Sequence, residues 1–465
     1  MSVSVANALR WVYEPRHVPP DTDMRQVRKD ILALSWPALL EQVLVSLCSM
    51  VDTMMVGQLG PYAIAAVGLC NQPKFILLAT FIALNVGSTA LVARMKGQGD
   101  QEGANRVLRQ SMLMTFFLSA ILAVVGALFA QPLVAFMGAN EDTLGPATTY
   151  LQIQMYGFIF NAMSLAITAA LRGAGNTRAS MYLNLVANVV NVILNYCLIY
   201  GHFGFPRMEV AGASLATVIG FVVSCAMAII ILLRGRQFVR LKRGDSFKPH
   251  LGTMKRIVRI GLPAAFEQLA MRVGLLIYTK TVSGLGTVAF ATHQVALSIL
   301  NLSFAAGMAF STASTTLVGQ SLGREQPEMA KTYAAQVQRI GMLVALALGL
   351  VFLFFGEQLC MLYTDDPQVI HTGGMLLSIV ALLQPFQCST FIYAGGLRGA
   401  GDAKWPAYSV IIGIIIIRPL CSLLTVNVLQ WGLVGAWVAL VVDQLLRLGI
   451  LGFRFHRGDW VNIKV

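Results

Sequence analysis

Apolar residues fall in twelve long stretches of the chain, and polar residues collect in short segments between them. Most stretches run to about 20 residues or more, the length at which an α-helix crosses a bilayer. The pattern therefore predicts an all-α polytopic membrane protein with twelve transmembrane helices. The predicted helices cover 31–57, 64–93, 108–130, 147–171, 179–202, 210–233, 257–283, 288–318, 333–355, 370–397, 407–430 and 433–453.

Motifs of the first half return in the second half at one constant offset. The sequence PALLEQ at 37–42 returns as PAAFEQ at 263–268, and LRGAG at 171–175 returns unchanged at 397–401. Each half contains six predicted helices, an even number, so both halves start on the same side of the membrane and form a parallel internal repeat. Two packed repeats that rock about a shared site are typical of secondary transporters.

The repeat and the hydropathy divide the chain into five predicted segments. An N-terminal segment, 1–30, precedes an N-terminal six-helix bundle at 31–233. A linker at 234–256 leads to the C-terminal six-helix bundle at 257–453, and a tail at 454–465 follows. We expect this linker to be the hinge between the two halves.

Composition and charge agree with a membrane location. With 56% apolar and 12% charged residues, the chain has more apolar surface than one soluble core can bury. The net charge is +13, and many of its cations lie before predicted helix 1 and between predicted helices 6 and 7. These cations are Arg10, Arg16, Arg25, Arg28, Lys29, Arg234, Arg236, Arg240, Lys242, Arg243, Lys248, Lys255 and Arg256, and Arg259 follows in the first turn of predicted helix 7.

Cations flanking membrane helices favour the cytoplasmic side, so both termini are predicted inside the cell. We expect a multi-pass protein of a bacterial-type inner membrane that is inserted without a cleaved signal and works as a monomer. The positive charge then serves topology and lipid headgroups, and we expect no nucleic-acid partner. The seven cysteines show no CxxC spacing, so neither a disulfide nor a metal site is predicted.

The candidate chemistry lies among ionisable and amide groups inside the predicted spans. A charge at the centre of a span costs at least about 2.5–3.5 kcal/mol, so each one needs a partner or a function. Predicted helix 1 carries Glu41 and Asp52, whose spacing of eleven residues, about three turns, places both on one face. Predicted helix 5 carries a stripe of amides: Asn184, Asn188, Asn191 and Asn195.

A carboxylate facing these amides can hold a proton or a desolvated monovalent cation, because both groups offer hard oxygen ligands. We therefore assign Asp52, Asn188, Asn191, Asn195 and Glu41 to cation coupling. Two alternatives stay open at this point. The amides could serve only to hydrogen-bond helices together, and Glu41 could be a structural acid.

The second half contributes polar side chains that we expect to border a substrate cavity. They are Glu267, Gln268, Arg272, His293, Gln384 and Gln387. Mutual neutralisation of Glu267 and Arg272, or a structural hydrogen-bonding role for His293, are the competing interpretations. Asp443 and Arg447, four residues apart in predicted helix 12, are interpreted as an internal ion pair.

In combination, several motifs resemble those of the multidrug and toxic compound extrusion (MATE) family. They are VDTMMVG at 51–57, LRGAG at 171–175 and 397–401, and ATHQVA at 291–296, and the likeness extends from about 30 to 455. The resemblance implies two six-helix bundles forming a V-shaped cavity. It also implies export of organic cations, driven by inward flow of protons or Na⁺.

The resemblance also assigns residues. Asp52 matches the acid of helix 1 that such proteins use for ion coupling, and Asn191 and Asn195 match its partners in helix 5, so that Na⁺ at these three residues is one possibility. The paired amides resemble the NorM-like branch. NorM-like members often carry a further acid in helix 10, where this chain has Gln387.

The sequence thus predicts a multidrug efflux antiporter that works by alternating access and uses no cofactor besides its coupling ion, H⁺ or Na⁺. An enzyme is not expected, since HExxH and GxSxG motifs are absent. The alternative is a flippase for a lipid-linked sugar or a related amphiphile. A flippase would need a strongly cationic cavity for a pyrophosphate, and the acids Glu41, Asp52 and Glu267 argue against it.

Overall fold

The computed structural model describes residues 18–19, 22–242 and 244–463, and these residues form helices and connecting segments without a strand. Most of the predicted N-terminal segment, with Arg10 and Arg16, lies outside the described residues, as does Arg243. The helices are α1 (Met24–Gly57), α2 (Pro61–Gln98), α3 (Gln101–Leu128), α4 (Ala130–Phe136), α5 (Glu141–Gly173), α6 (Thr177–Tyr200), α7 (Glu209–Leu233), α8 (Leu251–Ser283), α9 (Thr287–Gly323), α10 (Pro327–Met361), α11 (Pro367–Ala381), α12 (Gln384–Gly399), α13 (Lys404–Val428) and α14 (Gly432–Arg457).

Among the described residues, 11 helices are long and apolar enough to cross a membrane, and α11 and α12 pass the same test only together, with a bend of 55° between them, so that up to 12 spans are present. The predicted fold class is therefore confirmed. The bend falls where the sequence predicts one continuous helix at 370–397. Pro385, in the first turn of α12, lacks the backbone N–H that a continuous helix would need there, which accounts for the break.

Several helices begin earlier than the hydropathy pattern predicts, because polar residues cap an additional turn outside the apolar stretch. Asp100 accepts a hydrogen bond from the Gly103 N–H at 2.8 Å, so α3 begins well before the predicted start at 108. Asp366 likewise accepts from the Gln368 N–H at 2.9 Å at the start of α11. Capping oxygens satisfy backbone donors that the helix itself leaves free.

The internal repeat is visible in the positions of the helices. α2 and α9 begin at Pro61 and Thr287, and α3 and α10 begin at Gln101 and Pro327, so each pair is separated by the offset that relates the sequence motifs. α5 corresponds in the same way to α11 and α12 together. The two halves therefore repeat one helical arrangement, with one unbroken helix in the first half replaced by a bent pair in the second.

The described chain forms two compact units. The first consists of Leu40–Leu262, and the second combines the chain up to Leu39 with the part that starts at Pro263. The first turns of α1 consequently pack in the second unit, where Ile31 shares a core with Phe310 and Ile392. These turns belong to a different unit from the one that the predicted bundle at 31–233 gives them.

The first turns of α8 make the reciprocal exchange and pack within the first unit. The carbonyl of Ile257 lies so close to Gly87 that a Cβ there would clash with it, and Gly261 approaches the carbonyl of Ala83 in the same way. α1 and α8 change unit near Pro37 and Pro263, which are related by the repeat. Each half thus supplies the start of its first helix to the unit built from the other half.

Within the first unit, α5 lies against α2, α3 and α7, and α6 lies against α7. A buried core fixes this arrangement, with the rings of Phe81 and Phe158 in edge-to-face contact at 5.4 Å between centroids. Val56 of α1 and Ile199 of α6 belong to the same core, and amides of α6 donate hydrogen bonds to carboxylates of α1. Packing of α5 and α7 therefore positions α6 against α1.

Candidate functional site

The carboxylate of Asp52 on α1 is held by two amides of α6. The Asn195 side-chain N–H donates to Asp52 Oδ1 at 2.6 Å. The Asn191 amide, in the orientation that satisfies its neighbours, donates to Oδ1 at 2.8 Å and Oδ2 at 3.1 Å, while its oxygen accepts from Thr217 on α7. Both asparagines are buried and lie one helical turn apart. The structure therefore brings together the three residues at the centre of the predicted coupling site.

Asp52 borders two cavities inside the first unit. The larger, about 230 Å³, is also lined by Asn71, Lys74, Tyr150 and Asn195. The smaller, about 180 Å³, extends along α6 past Asn188 and Asn184. A bulk water occupies about 30 Å³, so these spaces suit several waters, an ion or one end of a larger ligand.

Different amides of the α6 stripe donate hydrogen bonds to the two acids of α1. Asn184 donates to Glu41 at 2.7 Å, whereas Asn195 serves Asp52, and Asn188 between them donates to the Asn184 backbone carbonyl at 2.8 Å. Since both acids contact α6, the prediction that they share one face of α1 is confirmed. Asn188 lines the smaller cavity without contacting either carboxylate.

Glu41 is a paired acid in the structure. Arg172 approaches its Oε1 at 3.4 Å, the Ser180 hydroxyl donates to the same oxygen at 3.2 Å, and the side chain is 4% exposed. A carboxylate already neutralised by an arginine matches the structural alternative for Glu41 better than a role in binding a coupling ion.

The second half repeats this ion pair. Glu267, which the repeat relates to Glu41, is buried and accepts from Arg398, which the repeat relates to Arg172. All four residues lie inside the duplicated motifs, but the motifs alone do not pair them, because the partners lie 131 residues apart. The pairing could have been predicted from the fact that both an acid and an arginine recur at the offset of the repeat.

A second buried charge cluster lies between α13 and α14. Arg418 donates to Asp443 Oδ2 at 2.5 Å, and Arg447 approaches Asp443 Oδ1 at 3.3 Å. The predicted ion pair between Asp443 and Arg447 is thus confirmed, and Arg418 is an additional partner that the sequence left unassigned. Gly413 makes room for this cluster, since a Cβ there would lie too close to the carboxylate of Asp443.

The other residues predicted to border a substrate cavity lie as follows. His293 is 1% exposed and packs between the rings of Tyr278 and Trp437, at 5.4 and 5.8 Å between centroids. Gln384 and Gln387 are buried, and Gln384 accepts from the Ser303 hydroxyl. Gln268 and Arg272 are partly exposed. The assignment of these residues to a substrate cavity stays a prediction.

Lys74 on α2 is a charged residue of the site that was not predicted from the sequence. It lines the larger cavity together with Asp52 and interacts electrostatically with that carboxylate. A lysine inside the predicted span 64–93 was a usable signal, because charges within a span are costly and mark functional positions.

In the described part of the chain, 11 or 12 candidate spans form two repeat-related halves, and one unit holds an ionisable group between amides, which is typical of a secondary transporter. The MatE family model matches residues 37–197 and again residues 263–423, two segments that are related by the internal repeat and together cover more than half of the chain. The chain therefore belongs to the MatE family of multidrug and toxic compound extrusion transporters. It is a multi-pass membrane transporter, and the prediction that it is not an enzyme is confirmed.

Individual relatives extend along almost the whole chain. The probable multidrug resistance protein NorM of Thermotoga maritima is 29% identical over 441 residues, covering 95% of each chain. The multidrug resistance protein PmpM of Pseudomonas aeruginosa is 29% identical over 392 residues, covering 82% of this chain and 80% of that protein. A multidrug resistance MATE family transporter solved in an outward-facing conformation superposes with a TM-score of 0.88 at 22% identity, over 94% of this chain and 97% of that one. This last likeness shows the fold.

Proposed function

We propose that this protein exports organic cations from the cell in exchange for protons or Na⁺. The Asp52 site carries the proposal, because a single carboxylate borders two cavities and is held by amides rather than by an arginine. The names of two relatives, the probable multidrug resistance protein NorM and the multidrug resistance protein PmpM, support drug-like substrates. We further propose that the chain works as a monomer in a bacterial inner membrane, with both termini in the cytoplasm.

Exchange follows from competition for one negative charge. A cationic substrate is attracted by the ionised carboxylate of Asp52, and a proton or Na⁺ that binds there removes that attraction. Substrate and coupling ion therefore exclude one another, which is the requirement for antiport. Alternating access adds that the two units rock so that the site faces the cytoplasm with substrate and the outside with the coupling ion.

Ethidium movement in proteoliposomes of the purified protein tests this function, with a pH gradient and a Na⁺ gradient imposed separately. We expect ethidium to accumulate against its own gradient under at least one of the two conditions. We also expect the charge-neutral variant Asp52→Asn to abolish accumulation while unfolding at a temperature close to that of the unmodified protein.

Two results would contradict the proposal. Ethidium that equilibrates without a driving gradient would indicate a channel. No movement under either gradient would favour the flippase alternative, to be tested next with a fluorescent lipid-linked sugar in the same vesicles.

A further inference from the structure

Lys74 and Asp52 face one cavity without touching. The cavity lining contains one acidic and one basic side chain, these two, and the remainder is polar or apolar. Lys74 lies more than three turns after Pro61, about 20 Å along α2, so it is placed well inside the span. Among the described residues, its ammonium forms neither a hydrogen bond nor an ion pair, although it interacts electrostatically with Asp52.

The two charges differ in how well the protein satisfies them. Asp52 receives hydrogen bonds from Asn191 and Asn195, whereas Lys74 borders the cavity as a cation without a hydrogen-bonding partner among the described residues. An ammonium held away from bulk water is stabilised by an anionic or accepting group. The cavity therefore offers an attractive position for an anionic group beside Lys74, near the position for a cationic group beside Asp52.

Other titratable groups near Asp52 do not change this pattern. Cys48, Cys70 and Tyr150 interact electrostatically with Asp52 or with Lys74, and thiols and phenols are uncharged at neutral pH. The electrostatic character of the cavity is thus set by one carboxylate and one ammonium.

Comparison of the two halves shows that the fold does not depend on this charged pair. The residues that the repeat relates to Asp52 and Lys74 are Tyr278 and Leu300, both buried and uncharged. The fold is therefore built in the second half without either charge. Asp52 and Lys74 occur together in the half that contains the cavity, as expected for two residues that act on one ligand.

We infer that Lys74 is a specificity-determining residue that makes the Asp52 cavity select zwitterionic ligands, with a cationic group at Asp52 and a carboxylate or similar anionic group at Lys74. This inference rests on the proposed export function and names a substrate class within it. The apolar side chains Val56, Ile64 and Val67 line the same cavity and suit the hydrophobic frame between the two charges. A simple organic cation is still attracted by Asp52 but is repelled by Lys74.

The expected effect on selectivity is large. At an effective dielectric constant of about 20, a unit charge about 6 Å from another changes binding on the order of 100-fold. Lys74 attracts the anionic group of a zwitterion and repels the cationic group of any substrate. Removing it should therefore weaken binding of a zwitterion and strengthen binding of the matching cation.

Rhodamine B and its ethyl ester form a suitable probe pair, because they share one cationic ring system and differ in whether the carboxylate is free. Binding of each dye to the purified protein in detergent is measured by fluorescence anisotropy for unmodified protein, Lys74→Met, Lys74→Arg and Lys280→Met. Lys280→Met removes an exposed lysine of α8 and serves as the matched control. The measured quantity is the ratio of the two dissociation constants, in which losses of folded protein cancel.

We expect the unmodified protein to bind rhodamine B at least tenfold more tightly than the ester. Lys74→Met should shift the ratio by about 100-fold toward the ester, while Lys74→Arg and Lys280→Met leave it within about threefold. A ratio that Lys74→Met does not change, or that Lys280→Met changes equally, would overturn the inference.

Failure of the two proposals is distinguishable. If ethidium is exported and both dyes bind, but Lys74→Met does not change the ratio of the two dissociation constants, the zwitterion inference alone is wrong. If the ester and ethidium neither bind nor move while rhodamine B also fails to bind, the export function itself is wrong, and the inference that rests on it falls with it.

Discussion

The two halves of the chain share one arrangement of helices but differ in which buried charges they carry. The ion pair between Glu41 and Arg172 is repeated as Glu267 and Arg398. Asp52 is not repeated, since Tyr278 occupies the corresponding position and its hydroxyl donates to the Ala436 carbonyl at 2.9 Å. We therefore expect the duplicated ion pairs to stabilise the fold of each half, and we propose that Asp52, which is not duplicated and has no arginine partner, acts in transport.

The largest effect is expected when Asp52 and its repeat-related counterpart Tyr278 are substituted in separate variants. Asp52→Asn should lower gradient-driven ethidium transport at least 100-fold, because it removes the charge for which substrate and ion compete. Tyr278→Phe should leave transport close to normal and lower stability by about 1 kcal/mol through the lost hydrogen bond. Proteoliposome flux and thermal unfolding measure the two effects. Equal transport losses in both variants would remove the distinction between the halves.

The duplicated ion pairs should matter for stability in both halves, but unequally. Arg398→Met leaves the buried carboxylate of Glu267 without its arginine and should lower stability by about 3–5 kcal/mol. Arg172→Met should have a smaller effect, because Ser180 and Asn184 still donate to Glu41. Thermal unfolding in detergent compares them, and Glu267→Gln combined with Arg398→Met should recover part of the loss. A larger effect for Arg172→Met would contradict this assignment.

A smaller effect is expected from the amide that holds Asp52. Asn195→Ala removes the 2.6 Å hydrogen bond to the carboxylate and should lower transport about tenfold, as expected for a bond to a charged group. The corresponding residue of the second half is Cys421, and Cys421→Ala is the matched control, with transport expected within twofold of normal. Undiminished transport in Asn195→Ala would reduce this amide to a helix-packing role.

The smallest effect concerns a glycine that only the second half requires. Gly413→Ala pushes a methyl group against Asp443 and Arg447, and overpacking of this kind costs about 1–3 kcal/mol. Better helix propensity returns roughly 1 kcal/mol, so a net loss of about 1 kcal/mol is expected. The corresponding residue in the first half is Ala187, which shows that an alanine fits where the charge cluster is missing. An increase in stability for Gly413→Ala would show that Asp443 and Arg447 can shift to make room for the methyl group at little cost.

Much of the fold could be predicted from the sequence, because lipid imposes long apolar helices and the repeat fixes their number. Asp52, Asn191 and Asn195 could be found since they interrupt apolar spans at helical spacing. Glu41 received a role in coupling from the same pattern, but its neutralisation by Arg172 depends on a contact across 131 residues that periodicity does not report. Lys74 was missed for a different reason: one lysine in a span has no periodic partner.

The broken span and the exchange of helix starts were likewise beyond the pattern. Hydropathy measures how apolar a stretch is, and a stretch with Pro385 in its middle remains apolar whether it is straight or bent. The first turns of α1 and α8 show the alternation of apolar and polar residues that is common to helices. This pattern does not identify the residues against which they pack. Tertiary packing, as between Ile257 and Gly87, decides that question.

The exchanged helix starts have a consequence for how the protein is made. Ile31 leaves the ribosome long before Phe310 and Ile392, the residues with which it shares a core, and the first unit lacks the Ile257 turn until α8 has been synthesised. A nascent chain that has reached the end of α7 has therefore completed neither unit. Insertion of the second half finishes both units together, so the newly made first half must wait in the membrane with part of its surface unpaired.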